Sequence, residues 1–245
     1  MSRARSLGSL LFCAVAGVGC ASPSPNSAPV ATAALTTPTT ASTTTTSTTV
    51  AATTTTLAST TTAVFVPTPT YVFPFTGRNV SYGTRHAGYP AIDVFGCGAN
   101  VVAPTSGTVT QVRTTDPWEP AINDPATRGG HYVTMIGDDG VRYYFAHLGA
   151  ISTTEGAIVA PGDALGIMGQ TGDARATECH THFGISWPCP TVEWQVRRGE
   201  VKLSKYLDAW RLGQQLSPAD EVAATLASSP NACADAAHAK SAANA

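Results

Sequence analysis

His131-Tyr-Val-Thr-Met-Ile136, then Asp138-Asp-Gly140, then Val141-Arg-Tyr-Tyr-Phe-Ala146 is the stretch that decides the fold class. Two runs rich in β-branched and aromatic residues flank an Asp-Gly pair, which is the composition of a turn joining antiparallel strands. The same grammar recurs on both sides. Val101-Val-Ala-Pro-Thr-Ser-Gly-Thr-Val109 is an apolar stretch, a Pro/Gly turn and a return. Ile158-Val-Ala-Pro-Gly-Asp163 with Leu165-Gly-Ile-Met-Gly169 echoes it, as a duplicated small β-unit would. The predicted class is all-β, with a compact antiparallel β-sheet core. Phe183, Ile185 and Trp187 share one face of the last strong strand and are expected in that core.

Beyond about residue 200 the period changes. Tyr206-Leu-Asp-Ala-Trp-Arg-Leu212 has near-helical spacing and stops at Gly213, and a second amphipathic stretch follows Ser217-Pro218, where serine would cap. Short C-terminal helices over 201–245 are expected to pack on the β domain, assigned to 71–200, and the Ala-rich last dozen residues are expected to fray. Between strands, 114–130 is a long loop with Pro117, Pro120 and Pro125 and no alternation. Trp118 in it either lines a cleft or packs the loop down.

The first 70 residues differ in composition. Residues 1–20, with Arg3 and Arg5 before an uncharged, mostly apolar run, read as an export signal too short to span a bilayer. Gly17-Val-Gly-Cys20 resembles a bacterial lipoprotein processing site that would lipidate Cys20, with cleavage after Ala21 as the competing expectation. Residues 21–70 are a Thr/Ser/Ala/Pro tract without charge, which buries too little apolar surface to offset ordering entropy, so a disordered linker is expected. Localisation to the cell envelope follows, either anchored at the outer face of the membrane or secreted to the wall.

A formal net charge of −2 argues against a nucleic-acid partner, because no basic field exists to displace phosphate counterions. Arg197, Arg198 and Lys202 form a small basic group, read as solvated surface. Cys97, Cys179, Cys189 and Cys233 are an even set in an exported chain, so disulfides are expected. Sequence does not choose among the three connectivities; Cys179–Cys189 with Cys97–Cys233 is the favoured one, and a zinc–thiolate role for Cys179 is the rival.

His180-Thr-His182 places two imidazoles on one strand face. Side by side they are costly unless a metal, a substrate or a hydrogen-bond network satisfies them. His147 ends the strand-like run from Val141, and His86 precedes Asp93. His131 and His238 lack such company and read as ordinary surface or strand residues. Three ligands with an open fourth position, and two spare imidazoles to move protons, are what zinc hydrolysis requires.

Seven pieces in order then resemble the lysostaphin-like zinc endopeptidases, which cut peptide cross-links in bacterial peptidoglycan. They are His86 with Asp93, Val102-Ala-Pro-Thr-Ser-Gly-Thr-Val109, Gly130-His-Tyr-Val133, Tyr144-Phe-Ala-His-Leu148, Gly162-Asp-Ala-Leu-Gly166, Gly169-Gln-Thr-Gly172 and His180-Thr-His-Phe183. The resemblance implies one zinc ion per chain held by His86, Asp93 and His182, with His147 and His180 as the catalytic pair, in a duplicated β fold with a groove over the metal. In one respect the chain departs from that family. Its aspartate usually lies four residues after the first histidine, and here it lies seven after. Convergence of His86 and Asp93 then requires a turn, which Gly88 and Pro90 permit. The function implied is an exported zinc endopeptidase acting on peptidoglycan peptides. The alternatives are a non-enzymatic wall-binding protein or activator of other hydrolases, and a protease of Gly-rich proteins. Oligomeric state is not readable from the sequence.

Overall fold

The structure, a computed structural model, describes residues 68–190 and 194–242. The expected leader with Cys20, and the linker up to residue 67, lie outside the described residues. Six strands open the described part: β1 (Phe75–Thr76), β2 (Ser81–Tyr82), β3 (Ile92–Phe95), β4 (Asn100–Val102), β5 (Gly107–Arg113) and β6 (Tyr132–Gly137). Five follow: β7 (Arg142–Ala146), β8 (Leu148–Ile151), β9 (Ile158–Val159), β10 (Ala164–Met168) and β11 (His180–Ser186). The chain closes on helices α1 (Trp194–Arg197), α2 (Ser204–Arg211), α3 (Ala219–Ser228) and α4 (Ala232–Ala242). The core is antiparallel β, as the hairpin grammar predicts. No helix among the described residues is long and apolar enough to cross a membrane.

The strands form two sheets, one in the order β2-β3-β11-β7-β6-β5-β9 and one in the order β1-β4-β10-β8. The two corners noted in the sequence join them. Each corner sends one arm into each sheet, and the arms pair crosswise, β4 with β10 and β5 with β9. At the bend, Ala103 N donates to Asp163 O and Gly162 N to Ala103 O, both at 2.9 Å.

Period-two alternation gives the larger sheet two distinct faces. Ile92, Val94, Val133, Met135, Tyr143, Phe145, Phe183 and Ile185 point into one apolar core. Phe75 of the small sheet meets it edge-on, 5.7 Å from Phe183 and 6.2 Å from Phe145. Burying each such side chain contributes roughly 1.5–3 kcal/mol, enough to fix the register of the central strands. The opposite face carries Asp93, Tyr132, Tyr144, Ala146, His180, His182 and Gly184. Central strands β7 and β11 are buried on both faces.

The C-terminal helices continue the same core, through Tyr206, Leu207, Trp210 and Val222. Trp210 stacks on Tyr71 at 5.4 Å. Two expectations are corrected here. The Ala-rich terminus is helical as α4 through Ala242, where fraying was expected, and a disulfide from Cys189 to Cys233 ties down its first turn. The second disulfide joins Cys97 to Cys179. The favoured Cys179–Cys189 and Cys97–Cys233 pairing is therefore wrong. Pairing of His180 with Phe95 along β3 and β11 brings the residues just beyond both strands together, which proximity in sequence does not reveal.

Candidate active site

Strand pairing assembles the site. His182 on β11 lies directly opposite Asp93 on β3 and opposite Ala146 on β7, one residue before His147. His86 stands outside the strands. Its backbone N–H donates to Ala91 O at 2.7 Å, closing a turn around Gly88, whose φ of +91° is readily available only to glycine. That turn brings His86 back over Asp93 despite their odd separation.

One ligand-capable atom from each of His86, Asp93 and His182 lies within 4.8 Å of the other two. The Asp93 carboxylate faces both rings, with Oδ1 2.9 Å from His182 Nδ1 and Oδ2 3.8 Å from His86 Nε2. A tetrahedral ion with bonds near 2.1 Å spaces its donors about 3.4 Å apart, a value these two distances bracket. His182 Nε2 meets the carbonyl oxygen of Arg198 at 2.8 Å, so this nitrogen carries the proton. The lone pair of neutral His182 then sits on Nδ1 and points at a carboxylate oxygen. Two acceptors this close attract only if a second proton or a cation lies between them. Two imidazoles and a carboxylate are the donor set suited to zinc, so the residues fit that ion.

The other two histidines are held by backbone. His147 Nδ1 lies 2.9 Å from Thr171 O, and His180 Nδ1 lies 2.7 Å from Glu178 O. Both carbonyls fix the tautomer, leaving each Nε2 as a base, that of His180 facing Asp93. The rings are 4.8 Å apart, and His180 Nε2 is 4.0 Å from Asp93 Oδ1. His147 has a φ of +63°, a conformation that costs a non-glycine residue of order 1–3 kcal/mol and recurs at functional sites. Burial, aided by the charges of His182 and His180, depresses its pKa to about 3, so it is a neutral base. Burial alone would raise the Asp93 carboxyl, but contact with His182 and the nearby His86 and His180 outweigh it and bring it to about 2.

Some residues of the site escape the sequence reading. Asp173 lies 3.8 Å from His147 Nε2, and burial raises its pKa. Gly184 shares the face of His182, and a Cβ there would overlap Arg198 O. Its missing side chain is what lets the 198–199 backbone lie on β11 and reach His182. A glycine inside a strand signals such an approach. Arg197 and Arg198 correct the solvated-surface reading. Arg197 is 6% exposed and stacks on Tyr132 at 4.2 Å, while Arg198 lies over Tyr89 at 4.1 Å. Lys202 alone of the three is exposed.

A groove of about 730 Å³ runs over the histidines. One side comes from the 114–130 loop, through Pro125, Ala126, Arg128 and Gly129. Arg113 fastens that loop, donating to Gly130 O, Ala126 O and Thr127 O at 2.7, 3.1 and 3.1 Å. Trp118 is outside the lining and packs beneath Arg175 at 5.5 Å, so it serves the loop and not the cleft.

Residues 87–194 match the model of peptidase family M23. Over that stretch the chain is similar to an M23 peptidase domain. The M23 match begins one residue after His86, so that residue's place in the site rests on geometry. M23 peptidases are zinc-dependent metallopeptidases directed at peptidoglycan peptides. Among solved structures, the domain is similar to the catalytic domain of the antimicrobial peptidase lysostaphin from Staphylococcus simulans, at 25% identity and TM-score 0.35, covering 45% of this chain and 79% of that one. A second lysostaphin structure is similar at 22% identity and TM-score 0.42, covering 57% and 55%. A zinc-containing peptidase from Vibrio cholerae is similar at 20% identity and TM-score 0.38, covering 54% of this chain and 38% of that one. No curated protein matches the chain.

Proposed function

We propose that this protein is an exported, zinc-dependent endopeptidase that hydrolyses peptide bonds in bacterial peptidoglycan. The observation that carries this reading is the convergence of His86, Asp93 and His182 within 4.8 Å, with His180 Nε2 4.0 Å from Asp93 and the His147 ring 6.2 Å from that of His182. His86, Asp93 and His182 would hold the ion. Zinc so held would polarise a scissile carbonyl and acidify water, worth several kcal/mol of charge stabilisation.

The chain's own groups do the rest. Nε2 of His147 or His180 accepts a proton from water as the water oxygen adds to the carbonyl carbon. The imidazolium formed then donates that proton to the amide nitrogen as the C–N bond breaks, giving an amine and a carboxylic acid that ionises to solvent. The spare imidazole stands beside the developing oxyanion. Backbone carbonyls at Thr171 and Glu178 keep both rings oriented through the cycle. Arg198 O holds His182 in the one tautomer that offers Nδ1 to the ion.

Export is supported by the composition of residues 1–20 and by two disulfides, which persist in oxidising compartments. Anchorage through Cys20, with residues 21–70 giving reach through the wall, belongs to the same proposal. The test is a digest of cell-wall material by zinc-loaded protein, read by mass spectrometry, beside the metal content of each chain. New peptide termini that vanish with His180→Ala support the reading. Bound zinc with an unchanged digest would favour the non-enzymatic wall-binding alternative.

A further inference from the structure

One end of the groove is lined by a cationic surface that the hydrolytic chemistry does not use. Arg197 and Arg198 both line it, alongside Tyr89, Tyr144 and Trp194. Both arginines follow the segment matched by the M23 family, so they are features of this chain's own continuation. Arg197 is 94% removed from solvent by its 6% exposure, and its Nε has no hydrogen-bond partner. Its Nη1 donates to Tyr132 Oη at 2.9 Å and to Gln111 Oε1 at 3.0 Å, both neutral groups. Arg198 is held between Tyr89 at 4.1 Å and Trp194 at 4.8 Å, and its Nε is likewise buried without a partner. Among the described residues no carboxylate lies within 4 Å of either guanidinium. Glu200 adds its field to Arg198 from beyond that range. Behind them Arg142 is buried too, with Nη1 unpartnered and one contact to Cys189 O at 3.4 Å.

Arg197 is buried and Arg198 half-buried, and a guanidinium so placed with no carboxylate within 4 Å among the described residues is costly. Aromatic faces offset part of that cost, but they satisfy no N–H donor, and the Nε of each arginine stays unpartnered. The fork matches a carboxylate, which accepts two parallel bonds. The geometry points to a carboxylate subsite: we infer that Arg198, backed by Arg197, binds an anionic group of the peptide substrate and so selects acidic peptides over uncharged ones such as polyglycine. The Tyr89 ring lies 5.6 Å from His182 and 4.1 Å from the Arg198 guanidinium. An extended peptide advances about 3.3–3.6 Å per residue, so those two distances put the carboxylate at most about three residues along the peptide from His182. This rests on the groove being the peptide site of the proposed hydrolase. Arg198 here is a specificity residue, distinct from its backbone carbonyl at His182.

Binding, measured apart from cleavage, separates the two claims. The probes are an N-acetylated alanine tetrapeptide with a free C-terminal carboxylate, its C-terminal amide, and tetraglycine amide. Affinities are read from Trp fluorescence at low and at physiological salt, with the full chain and with Arg198→Gln. The acid is expected to bind at least tenfold more tightly than either amide, with the margin shrinking in salt. In Arg198→Gln the margin should fall below threefold, and Arg198→Lys should restore part of it. Circular dichroism establishes that both variants keep the wild-type fold. Equal binding of acid and amide, or a preference that survives Arg198→Gln, overturns the subsite whether or not any peptide is cut. A carboxylate preference without cleavage of any peptide would leave the subsite standing and overturn the hydrolase reading.

Discussion

Nε2 of His182 lies 2.8 Å from the carbonyl oxygen of Arg198, and this contact decides which ring nitrogen faces Asp93. The contact exists because Gly184, two residues along the same strand face, has no Cβ to hold the 198–199 backbone away. A metal ligand, a tautomer and a glycine are thus one structural unit.

Gly184→Ala should weaken zinc binding by about 10–100-fold, the usual cost of losing an outer partner of a metal-bound histidine. Competition against a chromophoric chelator measures this. Unchanged affinity would mean that Arg198 O does not orient His182.

His180→Ala and His147→Ala should each lower kcat by about 10²–10⁴-fold while the chain keeps its zinc. Asp93→Ala should lose both activity and metal. Metal content by mass spectrometry beside peptide turnover separates the two classes. If His180→Ala were to empty the site, its assignment as a proton-transfer group would fail.

Acid should destabilise the metal-free protein in a window set by His147. Its folded pKa, about 3, lies below the ordinary histidine value near 6.5. Between those values the unfolded chain binds the extra proton, so stability rises with pH across the window and is lost as pH falls through it. The slope from this one group is at most about 1.4 kcal/mol per pH unit. Urea melts of chelator-treated protein from pH 7 to pH 4 should show it, and His147→Gln should flatten it.

The two disulfides should differ in what they protect. Loop closure assigns each about 4–5 kcal/mol, since they close 82 and 44 residues. Cys97–Cys179 also fixes the residue between Glu178, whose carbonyl holds His180, and His180 itself. Paired Cys97→Ser and Cys179→Ser substitutions should therefore lower both Tm and kcat. Paired Cys189→Ser and Cys233→Ser substitutions should lower Tm with kcat nearly unchanged. Thermal melts and turnover of one peptide substrate decide the matter.

Much of this was legible in the chain because it is local. The Asp-Gly turn, the two Pro-Gly corners and the shared face of His180 and His182 follow from backbone geometry over a few residues. The helices α2 and α3 could be read from their 3.6 period, whereas α4, Ala-rich and without an apolar stripe, could not. Gly184 carried a signal as well, since a glycine inside a strand marks a close neighbour, but not the identity of that neighbour. Arg197 and Arg198 were misread because a charged pair in sequence looks like surface; the aromatic rings that cover them come from β6, from β7, from the turn at Tyr89 and from Trp194 of α1.

By itself, then, the sequence determined an antiparallel β core and a supply of histidines and one aspartate suited to a hydrolytic metal. The tertiary structure decided which nitrogen of His182 is free, how His86 folds back over Asp93, which cysteines pair and where the arginines point. Each of these depends on approaches between segments tens of residues apart. Such approaches are fixed by packing and strand register across the whole sheet, and no local pattern of residues encodes them.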